Sequence, residues 1–510
     1  MLDFNKNDMK IRHIKYSIAI LAIMQLTVSC KKDFLELVPK GTATEENFYR
    51  NETEVYQGLI SVYDVMQWGT TGGYTMKQPL LSAASDDCFA GGSNASDQPG
   101  WVAYDNFNMD SRVGPQVGLW SKNFTGINRA NIILEKIGKA TTLSAGFKTR
   151  VTAEAKFLRA YFYFDLVRFF GNVPLITATI PTGELYTQTQ SAPAAIYAQV
   201  EKDLRDAYPG LPATIATNEK GRISMGAAKA LLAKVLLYQN DNTKLQEAAT
   251  LFNDINKVGN AYGYSLLPNY ADIFRPDNKF NAEVILEIPH SNLAAWGDWA
   301  WVNGGEGNVG TQFVGMDGYN GDTYSAGWGF CPVTLSLVNA MKTDPRFATS
   351  IIDGAALKAT GATYNARFQN TDYFIKKYAP LKAYRSNSGT AELNWPIDEI
   401  EMRLADTYLM EAEALVRLNS DPTRALALLT AVRARVGLTP VPATLDNIFN
   451  ERRLELAFEG HRFFDLVRSG RAVTVLGPSG YKAGKSEFIP IPQQEIDLTK
   501  GIIKQNPGYN

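Results

Sequence analysis

A chain of 510 residues exceeds the usual size of one domain, and 45% apolar with 11% aromatic residues is a folded, globular composition. The formal charge of −1, without a Lys/Arg-rich stripe or tail, excludes an electrostatic nucleic-acid binder.

The first signal is at the start. Lys6, Lys10, Arg12 and Lys15 precede an apolar run over 18–28, which is too short to span a bilayer and suits a secretory leader. The run ends at Ser29-Cys30, so Cys30 is the expected lipidation site, although Thr27 stands where a lipobox prefers Leu. Each buried CH₂ of an attached acyl chain contributes about 0.8 kcal/mol, so several chains make a lasting anchor. Met9 is an alternative start. Residues 1–29 read as a signal peptide and 30–43 as a lipid-attached tether. No later segment reads as a membrane span.

Downstream, apolar residues recur at helical spacing over 44–66, 120–137 and 152–170. Residues 68–100, rich in Gly, Asn, Ser and Asp, read as irregular with short elements. Gly171 and Pro174 end the third helix. Another helix is predicted over 191–208, followed by a pair over 224–238 and 244–257. A second pair of the same plan covers 404–418 and 422–436. Small Ala positions in both pairs suit tetratricopeptide-like stacking. The predicted fold is mainly α: a helix-pair scaffold with a loop-rich lobe and a few short strands. Strands are predicted at 284–288 and 374–378, with short edge segments at 473–476 and 488–491. The predicted divisions are 44–261 for an N-terminal scaffold, 262–395 for the lobe and 396–510 for the C-terminal part.

Residues 450–470, NERRLELAFEGHRFFDLVRSG, read as one charged amphipathic helix ending at Gly470. Its string FDLVR, 464–468, repeats at 164–168 within AEAKFLRAYFYFDLVRFFG. Together with the terminus FIPIPQQEIDLTKGIIKQNPGYN, these segments resemble the SusD/RagB family of nutrient-binding lipoproteins of Bacteroidetes. The resemblance extends from the leader to the last residues. It implies a non-catalytic protein on the outer face of the outer membrane, capping a TonB-dependent (SusC-like) transporter barrel and capturing oligosaccharides or other nutrients. It implies no particular sugar-contacting residue.

The ligand candidates come from composition. Trp296, Trp299, Trp301, Tyr319, Tyr324 and Trp328 lie among Asp298, Asn303, Asn308, Gln312, Asp317, Asn320 and Asp322. A flat ring packs on axial sugar C–H groups while amides and carboxylates take the hydroxyls. Trp68, Tyr74 and Trp101, in similar loops, are secondary candidates. The competing use of these rings is as core of an irregular lobe.

Other motifs point elsewhere weakly. Asp86-Asp87 suits a salt bridge or loop cap; a structural Ca²⁺ stays unassigned, and no other cofactor is expected. Residues 305–310 fit GxGxxG without the strand and helix a nucleotide site needs. His461 reads as a core histidine. Cys88 and Cys331 allow one disulfide or two buried thiols. Two further readings remain open: a glycoside hydrolase with facing carboxylates, and a helical-repeat interaction scaffold.

Overall fold

The computed structural model describes residues 48–509. The Cys30 site, the leader and the predicted helix start at residue 44 lie outside the described residues. The first described helix, Glu52–Gln67, starts at Asn51, whose side chain accepts from the Glu54 N–H at 3.0 Å. Val55, Leu59, Val62 and Val65 form its buried stripe, as a period of 3.6 requires.

The scaffold is a stack of helices in sequence order. Gln116–Lys139 packs against Glu52–Gln67 and against Ala145–Phe170, which packs in turn on Pro193–Ala207. Ser144 caps the 26-residue Ala145–Phe170 helix by accepting from Phe147 N–H. This helix is buried on nearly every side, with Phe157, Phe162, Tyr163, Phe169 and Phe170 all inaccessible. Each such side chain contributes roughly 1.5–3 kcal/mol of burial.

The two predicted pairs are present as Met225–Tyr238 with Asn242–Asn256 and Leu404–Arg417 with Pro422–Ala434. They join in one tetratricopeptide-like stack because Asn242–Asn256 packs directly on Leu404–Arg417. There Asn256 Nδ2 donates to Thr407 O at 3.0 Å and to Glu411 at 2.8 Å.

The loop-rich excursion leaves and returns through one ribbon. Strand Val284–Ile288 pairs antiparallel with Glu399–Arg403, setting Val284 opposite Arg403 and Ile288 opposite Glu399. Two smaller ribbons join Val173–Pro174 to Gln190–Ser191 and Ile351–Asp353 to Tyr373–Ile375. The excursion also has a small core of its own, formed by Met316, Tyr319, Tyr324, Ile352, Ala362, Phe374 and Ala379.

Residues 450–470 are not one helix. Helix Leu445–Glu455 ends, the chain turns through Phe458 (φ 69°) and Gly460 (φ 79°), and Arg462–Arg468 begins a new helix. The break is made by the backbone, which enters the left-handed region that Gly460 adopts without strain, and the charges of this stretch point inward. Glu455 accepts from Arg346 at 2.8 Å, Arg403 at 2.6 Å and also Arg435, while Glu459 accepts from Lys377 and Arg403 at 2.7 Å. Burial opposes ionisation of Glu455, but the three guanidinium groups outweigh it and hold its carboxyl well below the usual range.

Two further segments differ from expectation. Residues 473–476 lie in a short helix, Ala472–Leu476, and 488–491 form no ladder; Ile489 N–H donates instead to Phe169 O at 2.8 Å. The 68–100 stretch includes the helix Lys77–Ala83.

Candidate functional site

Three segments bring the rings together: the first carries the two exposed indoles, and the other two carry the half-buried Tyr74 and Trp328. In the first, Asp298 accepts from Ala300 N–H at 2.8 Å and starts the 3₁₀ turn Trp299–Gly304. This local bond turns the chain tightly enough to push successive indoles outward. Trp299 is 47% exposed and Trp301 50%, the two exposed tryptophans among the described residues. The second loop, residues 69–73, leads into the half-buried Tyr74.

The rings adjoin one another. Trp299 lies 6.0 Å from Trp328 with planes turned by 34°, and Trp328 lies 5.5 Å from Tyr74 with planes turned by 57°. Trp301 meets Trp68 edge-on at 5.7 Å. Underneath, Phe313 stacks on Phe330 at 3.9 Å and contacts Trp101 at 4.4 Å. Trp328 is carried at a fixed height because its N–H donates to Gln312 O at 3.0 Å. An outer arc of amphipathic rings thus rests on an inner aromatic layer.

Polar groups border the arc, and most are committed. Asp317 pairs with Arg367 at 2.8 Å and accepts from Asn365 at 2.6 Å; burial resists its ionisation, but these partners hold its carboxyl below the usual range. Asp97 accepts from the Ser93 hydroxyl at 2.8 Å. Burial, then the charge of Asp97, pushes the Tyr74 phenol up. Arg129 lies over Trp68 at 4.9 Å and pairs with Asp64. Arg367, Asp97 and Ser93 were missed in the sequence because no pattern links these distant loops.

Several predicted ligand residues are placed elsewhere. Tyr319 and Tyr324 are 7% and 5% exposed and pack edge to face at 5.6 Å in the small core. Trp101 is 1% exposed, with its indole N–H on Tyr74 O at 3.0 Å. Trp68 is buried apart from its contact with Trp301. These four correct the sequence reading: a lobe with little regular structure fills its interior with rings. Trp296 is half-buried, and its N–H donates to Asp298 O and Trp301 O, both at 3.1 Å. Asn303 bonds Thr70 and Thr71. Asn308 caps helix Val309–Val314, Gln312 accepts from Trp395 Nε1, and Asn320 accepts from Thr363 N–H.

The remaining motifs are structural. Asp86 pairs with Arg462 and Arg453, and Asp87 with Arg453, so both carboxylates are committed to guanidinium groups. Residues 305–308 form a loop and 309–310 open the six-residue helix Val309–Val314, with a 3₁₀ turn rather than a strand leading in, unlike a nucleotide cradle. Cys88 and Cys331 are buried and unbridged. His461 lies 3.4 Å from Lys234 inside the core; burial and that ammonium push it down to about 3. A cavity of about 510 Å³ between Trp120, Phe124, Ile180, Leu185, Tyr186 and Leu498 mixes aliphatic, aromatic and polar side chains and lacks the neighbouring indoles of the arc.

Residues 282–509 match the SusD family model, and residues 33–237 match one described as starch-binding associating with outer membrane. The chain is similar to a laminarin-binding SusD-like protein of known structure: 44% identity, TM-score 0.85, with 90% of this chain and 100% of that one covered. Surface glycan-binding protein A from Bacteroides fluxus is 30% identical with TM-score 0.82, covering 90% and 99% of the two chains. Its counterpart from Bacteroides thetaiotaomicron, solved with laminarihexaose, is 27% identical with TM-score 0.83, covering 89% and 99%. SusD-like protein P25 of Formosa agariphila is 24% identical, over 98% of this chain and 100% of that one. With a signature segment, a helix-pair scaffold and a relative this similar over its full length, the chain belongs to the SusD/RagB family.

Proposed function

We propose that the Trp299–Trp328–Tyr74 arc binds a curved glucan, and that its ligand class is the β-1,3-linked glucan of laminarin. At the level of the family, the protein is a non-catalytic outer-membrane lipoprotein facing the cell exterior. It binds oligo- or polysaccharide and serves a TonB-dependent, SusC-like transporter.

The observation that carries the ligand reading is the turn between neighbouring rings, 34° and then 57°. Successive sugars stacking on such rings must follow a bend. A β-1,3-glucan coils and meets that demand, whereas a flat β-1,4-glucan ribbon does not. The name of the 44%-identical relative supports the same ligand. The description of the model matching 33–237 favours a second curved glucan, starch. The ligand face draws on the 262–395 lobe and on the loop of the N-terminal scaffold that ends at Tyr74. The carboxylates bordering the arc, Asp298, Asp317 and Asp97, are taken up by Ala300 N–H, Arg367 and Ser93, which suits binding rather than hydrolysis.

Titration calorimetry with laminarihexaose, maltohexaose and cellohexaose tests the reading. Laminarihexaose is expected to bind most tightly and cellohexaose least. Equal affinity for cellohexaose would remove the curvature argument, and preference for maltohexaose would move the assignment to starch.

A further inference from the structure

We infer that Asn303 is a positioning residue, an amide latch that fixes the two ring-bearing loops in one arrangement before any sugar arrives. The inference rests on the reading of the Trp299–Trp328–Tyr74 arc as the glycan surface.

Both ends of the Asn303 amide are engaged across the gap between the loops. Its Oδ1 accepts from the Thr70 hydroxyl at 2.8 Å and from Thr70 N–H at 3.3 Å. Its Nδ2 donates to the Thr71 hydroxyl at 2.9 Å. These bonds flank the Trp68–Trp301 contact, since Trp68 precedes Thr70 and Trp301 precedes Asn303 by two residues. Composition assigned this amide to sugar hydroxyls; the geometry assigns it to the protein.

The Asn303 end of the latch is rigid because its loop is wound on Trp296. That indole N–H holds the carbonyls of Asp298 and Trp301, at the start and middle of the turn. A Cβ on Gly304 would lie 2.5 Å from the Trp296 ring and 2.4 Å from Trp301, so only glycine lets the turn close on the indole. Behind Trp296, the fully buried Asn394 accepts from the Trp296 backbone N–H at 2.9 Å and donates to its backbone carbonyl at 2.7 Å. The chain of support therefore runs from the buried amide of Asn394 through Trp296 to the turn, and from the turn through Asn303 to the Thr70–Thr71 loop. Two mobile loops would have to be ordered on binding; a latch meets that cost during folding.

The test reads loop geometry and affinity separately. The Trp68–Trp301 pair, edge-on at 5.7 Å, is expected to give an exciton couplet in circular dichroism of the unliganded protein, assigned by its loss in Trp301→Phe, and laminarihexaose affinity is measured by calorimetry. Asn303→Ala is expected to lose the couplet and to weaken binding about tenfold. Thr71→Ala is expected to do likewise, the double variant to lose little more than either, and Thr71→Ser to keep both signals. A couplet unchanged in Asn303→Ala with affinity lost would mean the amide touches sugar, and the latch is overturned. A lost couplet with full affinity would overturn it too, because loop order would then not matter. Trp299→Ala is run in parallel: if it binds as the parent does, the arc reading has failed, and the latch falls with it.

Discussion

The guanidinium of Arg168 lies 4.4 Å from the ring centroid of Phe464 and 4.0 Å from that of Phe164, so each FDLVR string supplies a phenylalanine to one cation. The two strings, far apart in the chain, are halves of one buried contact, completed by Phe169 against Phe464 at 5.2 Å. Arg168 also pairs with Asp165, which keeps Lys77 at 3.1 Å. Arg168→Ala is therefore expected to cost about 2–4 kcal/mol, less than a lone buried pair because Lys77 remains. Arg168→Lys recovers little, since an ammonium cannot lie flat between two rings. Urea unfolding measures the difference; a loss below about 1 kcal/mol would show the sandwich to be incidental.

Glu455 receives Arg346, Arg403 and Arg435 at the base of the Val284–Arg403 ribbon. Glu455→Gln keeps the shape and removes the charge, leaving three guanidinium groups short of a carboxylate. The expected loss is about 3–5 kcal/mol. Because the hub lies where the lobe leaves and re-enters the scaffold, protease cleavage within 289–398 should also quicken. Unchanged cleavage alongside lost stability would separate the hub from control of the lobe.

Two buried groups give opposite pH slopes. His461, with Lys234, Asp406, Arg452 and Glu459 facing it, is pushed down to about 3 by burial and then by Lys234. Between pH 6.5 and 3 the unfolded chain takes a proton that the native one refuses, so stability falls on acidification. Glu287 is pushed up to about 8 by burial and then by Asp398. Between pH 4.5 and 8 the native state holds the extra proton, so this group adds stability on acidification. Over pH 4.5–6.5 the two offset each other, at up to about 1.4 kcal/mol per pH unit each. His461→Gln is expected to gain stability on acidification relative to the parent, and Glu287→Gln to lose it. Parallel melting curves in all three would contradict both shifts.

Periodicity made the scaffold legible. The helix predicted over 224–238 is present as Met225–Tyr238, and the run VILEI at Val284–Ile288 reads directly as a buried strand. Its partner Glu399–Arg403, EIEMR, does not, because its charged residues look solvent-facing while Arg403 is fully buried against Glu283, Glu455 and Glu459. The break at Phe458 and Gly460 was hidden for another reason: one glycine inside a charged, periodic stretch is tolerated by a helix as readily as it turns the chain. In the lobe, composition grouped the exposed Trp299 and Trp301 with the buried Tyr319 and Tyr324 and could not tell which rings face out. Loops have no period, so which ring faces out is decided by contacts between distant segments.

That separation gives the last expectation, a dissociation of binding from stability along one class of side chain. Trp299 and Trp301 keep about half their surface in solvent, so Trp299→Ala and Trp301→Ala remove less buried surface than loss of a core indole and should lower the melting temperature less. Trp299→Ala should cost roughly 1–3 kcal/mol of glucan affinity, as expected for a stacking anchor. Trp301, turned edge-on to Trp68 and off the Trp299–Trp328–Tyr74 line, should cost less. Trp101→Ala opens a cavity against Phe313 and strands Tyr74 O, so it should destabilise by about 3–5 kcal/mol and weaken binding only through loss of folded protein. Calorimetry on the folded fraction, paired with melting curves, distinguishes the two patterns. If Trp101→Ala kept its stability while Trp299→Ala lost it, the assignment of inner and outer rings would be reversed.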